Sequence, residues 1–459
     1  MTAKAPAREA RPRVGLLFPY DYDEIGYARQ GATHTFDRSG FDLFAFPSNA
    51  RLAWLDLERY AARQTARGRR RGWAGVTSQN EHFGALIAAL VAERLGLPGT
   101  PVEAILACQH KLHARRVLQR VAPEATLPAM ELPARYGGPI PEGLPYPRYV
   151  KPVRAAFSVL ARQVHSHAEL TAHTRFGWRE LWVIRHLIDP FERLAAERLP
   201  EAGTCHRMML EQPVSAPQFN LDGWVWNGRA HALGVVDAEM VPGTQAFMRW
   251  DLPSRLPATV RLRALDVAQR FLQAVGFTQG LFNMEFFYDA AADKLTVIEF
   301  NPRLASQFSD LYLRTTGQDP HAMALALALG RDPATLPRAQ PLGSVAASLV
   351  YRSFAGEPVP TMPGPVTRAA LQREFPDAML HTFGKSGHAL ARELKWLGSH
   401  RYATLHLQGE DAADLRRRAE RASALLGWPV PYAPRAEEPA SVSTRPAPPW
   451  ISPTLQALR

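Results

Sequence analysis

"KLTVIEFNPRLASQF", residues 294–308, opens as a buried strand and then changes character. Leu295, Val297, Ile298 and Phe300 supply what a strand in a sheet core needs. Glu299, Asn301 and Arg303 follow two apart, so they point to one side of an extended chain. A half-exposed strand with a polar outer face would account for alternating polar residues. A carboxylate, an amide and a guanidinium in one row, crowded by apolar neighbours, fit better a site for cations and phosphate. The preceding strand pattern, "GLFNMEFFYD" (280–289), places Glu285 fourteen residues before Glu299, so the two face each other across a hairpin. Paired carboxylates repel unless something positive lies between them. Magnesium meets that need through one or two carboxylates plus substrate phosphates. Asn301 adds a neutral oxygen, and Arg303 can fork onto a phosphoryl oxygen.

Outward from this hairpin, lysine is the next signal. All but six of the 54 basic residues are arginine; lysine stands only at 4, 111, 151, 294, 385 and 395. A phosphate-binding lysine acts as a compact point charge that a planar guanidinium does not reproduce. Lys111, in the helical stretch 106–121, and Lys151, in the strand "RYVKPV" (148–153), are therefore candidates.

The bulk numbers set limits. A chain of 459 residues with 46% hydrophobic and 21% charged content is globular and holds two or three domains. Two cysteines, Cys108 and Cys205, fit a reducing compartment and exclude a disulfide framework. No apolar run reaches the roughly 18 residues of a membrane span, and "VGLLFPY" (14–20) is too short for a signal core. A soluble, cytoplasmic protein without a membrane partner is expected. A net charge of +11 raises nucleic acid as a partner. The arginines are scattered, however, and the dense cluster Arg67–Arg71 in "RGRRRG" reads as a solvated loop, so nucleic acid is not expected.

Strands and helices alternate early: "RVGLLFP" (13–19), a helix near 25–38, "FDLFAFP" (41–47), "GVTS" (75–78) and the helix 82–96 make a parallel α/β layer. A Pro/Gly-rich connection (123–147) precedes the Lys151 strand, and a helix containing "HAEL" follows it. Residues 207–214 and 218–240 read as antiparallel strands, with "NG" at 227–228 a hairpin turn, and 257–276 as an amphipathic helix. Beyond 331 come a strand at 401–409, a helix at 411–427 and a Pro/Ala/Ser-rich tail from 433.

"CQHKLHARRVL" (108–118), "YVKPV" (149–153), "MLEQPVSAPQFNLDG" (209–223), "GLFNMEFF" (280–287), "VIEFNPR" (297–303) and "TTGQDP" (315–320) occur in the order and spacing of the ATP-grasp superfamily. The chain resembles its carboxylate–amine ligases and its biotin carboxylase branch. The resemblance implies a multidomain α/β and α+β fold: a flexible start (1–12), a Rossmann-like domain (13–105), an ATP-grasp domain (106–330), a C-terminal α+β domain (331–432) and a flexible tail (433–459). It implies that Lys111 and Lys151 contact ATP phosphates, with Ser158 a further phosphate donor. Glu211, Gln212 and Val214 fall in the hinge whose backbone meets adenine, and Gln218 falls near the ribose. Glu285, Glu299 and Asn301 would hold two Mg²⁺, with Mn²⁺ the alternative ion, and Arg303 would face the transferred phosphate.

The implied reaction forms an acyl phosphate and ADP from a carboxylate and ATP; an amine then displaces phosphate. Catalysis of the first step is mostly positioning and charge neutralisation. Two positions depart from the family. "KPVRAAFSV" (151–159) has no glycine where relatives carry a glycine-rich phosphate loop, and Gln218 replaces a commonly acidic residue. The expected function is ATP- and Mg-dependent ligation of a small carboxylate to an amine. The rival is an ATP-binding sensor or scaffold without turnover. Homo-oligomerisation stays open.

Overall fold

The computed structural model describes residues 11–41, 51, 54–155 and 160–433, arranged on three sheets. The first is parallel, with β1 (Arg13–Leu17), β2 (Thr35–Ser39) and β3 (Gly75–Thr77) in the order β2-β1-β3. β2 lies where a helix over 25–38 was expected; the helix is shorter and earlier, Asp21–Ala28. "TFDRS" looks polar, but Asp37 is buried between Arg71, at 2.8 Å, and the Trp73 indole N–H, at 2.7 Å. The expected strand at 41–47 lies outside the described residues apart from Phe41, as do Ser158 and the stretches 1–10 and 434–459. The Arg67–Arg71 cluster is not a loop. It ends the helix Leu57–Arg71, where cations suit the helix dipole, and Gly72 stops it in the left-handed conformation (φ 64°).

The second sheet holds β4 (Ala129–Glu131), β5 (Arg148–Pro152), β6 (Arg162–Val164) and β7 (Met208–Glu211) in the order β4-β7-β5-β6, all antiparallel. The helix expected over 106–121 is two, Val102–Gln109 and Lys111–Val121, broken at His110. The His110 imidazole accepts the His113 N–H at 3.1 Å and so caps the second helix, which starts on Lys111. A further helix, Trp178–Arg198, carries Pro190 inside it.

The third sheet is antiparallel and holds β8 (Gln218–Trp226), β9 (Arg229–Met240), β10 (Phe247–Leu252), β11 (Gly280–Asp289), β12 (Lys294–Asn301), β13 (Val345–Phe354), β14 (Met379–Thr382) and β15 (Ser399–Gly409). Its order is β12-β11-β8-β9-β10-β13-β15-β14, so residues beyond 331 extend this sheet. Asn227 and Gly228, both at positive φ (50° and 75°), close the expected β8–β9 hairpin. One face of β8, β11 and β12 packs Phe219, Leu221, Met284, Phe286 and Phe300 against Phe271 of helix Ala258–Ala274. No helix among the described residues is long and apolar enough to cross a membrane.

Candidate active site

The polar face of the third sheet is built by a change of phase. β11 sends Phe282, Met284 and Phe286 into the core, which leaves Asn283 and Glu285 on the other face. β12 does likewise with Leu295 and Val297, then breaks step: pairing passes from Phe286↔Val297 to Glu285↔Glu299 and skips Ile298. That bulge returns Phe300 to the core and turns Glu299 and Asn301 to the polar face. A regular strand would have put Glu299 on the core face with Val297.

Glu285 and Glu299 are cross-strand partners, as are Asn283 and Asn301. Gln218 donates to Glu285 Oε2 at 2.9 Å, so this glutamine stands beside a carboxylate of the pair. Asn301 Nδ2 donates to Glu285 Oε1 and Asn283 Oδ1, each at 3.2 Å. Asn283 donates to Asp222 at 2.9 Å, and the Tyr312 hydroxyl to the same carboxylate at 2.8 Å. With its amide hydrogens so engaged, Asn301 offers Oδ1 as a ligand atom. The two glutamates separate electrostatically. Burial, then the charge of Glu299, pushes the Glu285 pKa well above the carboxylate range. Burial opposes ionisation of Glu299 too, but Lys111 and Lys151 outweigh it and hold its pKa down.

Both candidate lysines sit on carboxylates. Lys111 Nζ lies 2.6 Å from Glu299 Oε2 and donates to the Ala155 carbonyl at 2.9 Å. Lys151 Nζ lies 2.7 Å from Glu211 Oε2. On its other oxygen Glu211 meets Arg115, Nη2 at 2.7 Å and Nε at 2.9 Å. Burial would raise the Glu211 pKa, but Lys151 and Arg115 win and bring it down to about 2. Burial lowers the Lys151 pKa against the pull of Glu211. Burial, then the charges of Glu299, Glu211 and Glu285, pushes up the pKa of Tyr149, two residues before Lys151.

Arg303 leaves the end of β12 and meets Glu81 at 2.5 Å, in the loop after β3 of the first sheet. Arg154 reaches the same loop, donating to the carbonyls of Glu81 and His82. Gln79 Oε1 accepts the Leu304 N–H at 2.9 Å. Thus Lys111, Lys151, Glu211, Gln218, Glu285, Glu299, Asn301 and Arg303 gather at one junction of three sheets. Gln212 and Val214 follow β7 at its rim, where Gln212 and Pro213 line a pocket with Pro128, Tyr146, Pro147 and Arg148. Ser158 is outside the described residues. Glu81 and Arg115 had no signal in the sequence beyond position: one lies in a loop after a parallel strand, where α/β ligand sites form, and the other among dozens of arginines.

Among the described residues no three His, Cys, Asp or Glu converge on a metal position. Two carboxylates and an amide oxygen are a sparse oxygen set, which suits Mg²⁺ completed by phosphate oxygens and water.

The chain shares its fold with solved ligases of the ATP-grasp type. The L-amino acid ligase of Bacillus licheniformis is similar in structure with a TM-score of 0.65 at 16% identity, covering 91% of this chain and 98% of that one. N5-carboxyaminoimidazole ribonucleotide synthetase of Thermus thermophilus gives a TM-score of 0.58 at 17% identity, over 92% of this chain and 100% of that one. In sequence, carnosine synthase 1 of Gallus gallus is 28% identical over 283 residues, which is 59% of this chain and 29% of that protein. The chain spans less than half the length of the curated relatives it matches. No family model matches it.

Proposed function

We propose that the chain is an ATP-dependent ligase that activates a carboxylate as an acyl phosphate and transfers it to an amine, releasing ADP and phosphate. The observation that carries this reading is the meeting of Lys111 and Lys151 with Glu285, Glu299, Asn301 and Arg303 at one junction. ATP would lie between the second and third sheets, adenine at the rim formed by Glu211 to Val214 and phosphates toward the lysines. Mg²⁺ would be held by Glu285, Glu299 and Asn301, and when bound it supplies neutralisation of phosphate charge. Lys111 and Lys151 exchange their carboxylate partners for phosphate oxygens. Arg303 forks onto the phosphoryl group as charge shifts toward ADP, and its present partner Glu81 marks where substrate enters from the first sheet.

The structural neighbour named for amino acid ligation makes amino acids the first carboxylates and amines to test. Purified protein with Mg-ATP should release ADP and phosphate only when both are present, and hydroxylamine should trap the activated acid as a hydroxamate. AMP as the dominant product excludes this mechanism. Nucleotide binding without carboxylate-dependent ADP release would favour the second reading, a sensor or scaffold, for which the glycine-free "KPVRAAFSV" (151–159) speaks.

A further inference from the structure

We propose that Arg115 is a positioning residue for Lys151, acting through Glu211, an assignment that rests on the nucleotide reading above. Arg115 stands one turn after Lys111 on the same helix, and its side chain is 5% exposed. Its guanidinium joins two sheets. Nε and Nη2 hold Glu211 on β7, while Nη1 donates to the Val297 carbonyl at 2.7 Å and Nη2 to the Ile298 carbonyl at 3.1 Å. Ile298 is the residue skipped in the β11–β12 pairing, so Arg115 also fixes the bulge that aims Glu299.

The charge count explains the need. Lys151, Glu211 and Arg115 together carry two positive charges and one negative. When Lys151 turns from Glu211 to a phosphate, Arg115 remains to neutralise the buried carboxylate. Without Arg115 the same move strands Glu211 away from water with no countercharge, which is costly. Lys151 is then locked in a neutral pair and unavailable. A lysine at 115 cannot substitute, because one ammonium cannot span a carboxylate on β7 and two carbonyls on β12.

The test measures Mg-ATP affinity by calorimetry, with thermal unfolding in parallel, for the wild type, Arg115→Met, Arg115→Lys, Glu211→Gln and the double variant Arg115→Met/Glu211→Gln. The expected result is a loss of about tenfold or more in Arg115→Met, the scale seen when a supporting residue behind a binding group is removed. Arg115→Lys should recover little of it and carries the test if Arg115→Met does not fold. In the Glu211→Gln background, removing Arg115 should cost clearly less than in the wild type, because no carboxylate is left to neutralise and only the hold on the bulge is lost. A purely structural brace on β12 would give the same loss in both backgrounds, and that additivity overturns the proposal. So does Arg115→Met binding within about twofold of wild type. Wild-type protein that binds no Mg-ATP overturns the functional reading, and this assignment falls with it.

Discussion

Two of the places where the first sheet and its helices meet the rest of the chain are of opposite character. At one, helix Asp21–Ala28 seals against helix Pro320–Ala328. His321 Nε2 and Asp23 Oδ1 are 3.0 Å apart with both side chains fully buried, and a Cβ on Gly26 would collide with the imidazole. At the other, Glu81 meets Arg303, whose pKa burial would lower but Glu81, Tyr20 and Glu285 raise. A fully buried pair clamped between two helices holds a fixed junction. Charges beside alternative partners can exchange them, which is what a substrate requires. Changes at the first should move stability and spare binding, and changes near the second the reverse.

The largest effect is expected beside the open junction. Glu299→Ala and Glu285→Ala should each lower Mg-ATP affinity or turnover by about 10²–10³-fold with little change in unfolding temperature. Calorimetry showing unchanged affinity in both would remove the metal assignment. At the sealed junction, His321→Ala should cost about 3 kcal/mol by leaving Asp23 buried without its partner, while Mg-ATP affinity stays within about twofold. Denaturant unfolding and calorimetry on one sample separate the two, and a binding loss equal to that at Glu299 would erase the contrast.

Lys151→Arg keeps the charge but should lower turnover by about 10–100-fold, because a flat fork does not fit where a point charge sits between phosphates. Near-normal turnover would show that the scarcity of lysine elsewhere has no functional meaning. The Glu285 pKa gives a pH test. Burial and Glu299 raise it, and the protonated acid is a poor metal ligand, so Mg-ATP affinity should rise with pH through the neutral range, by at most about tenfold per unit. Ligand-free stability should move oppositely. A raised folded pKa contributes stability below the unfolded value of about 4.3 that is lost as pH rises through the folded one. A flat affinity profile would count against an acid held protonated. The smallest effect belongs to Arg185 and Asp189, 3.1 Å apart with the arginine side chain 74% exposed. Arg185→Ala should change stability by no more than about 0.5 kcal/mol.

What could be read from the sequence follows the range of the forces involved. The row Glu299, Asn301, Arg303 and its partner Glu285 were legible because a hairpin is local and its polar residues interrupt an apolar pattern. The bulge was written there as well, in the three-residue step from Val297 to Phe300, yet an alternating reading passes over one irregular step. Lys111 and Lys151 stood out because the chain uses lysine so rarely. Glu81 did not, since its meaning comes from Arg303, 222 positions away. β2 was misread because Asp37 is paid for by Arg71 and Trp73, contacts that no local propensity encodes. Helix Trp178–Arg198 escaped because Pro190 suggests a break, although the neighbouring turns hold it.

The skipped Ile298 has a consequence for how this chain can vary. Upstream of it the odd-numbered Leu295 and Val297 face the interior, and downstream the odd-numbered Glu299 and Asn301 face the cleft, with the extra residue acting as a joint between two phases. Repacking at Leu295 or Val297 can proceed without rotating Glu299 and Asn301 beyond the joint. Deleting Ile298 would let Leu295, Val297 and Phe300 alternate regularly with Glu299 and Asn301, so both faces survive and what is lost is the extra carbonyl that Arg115 holds.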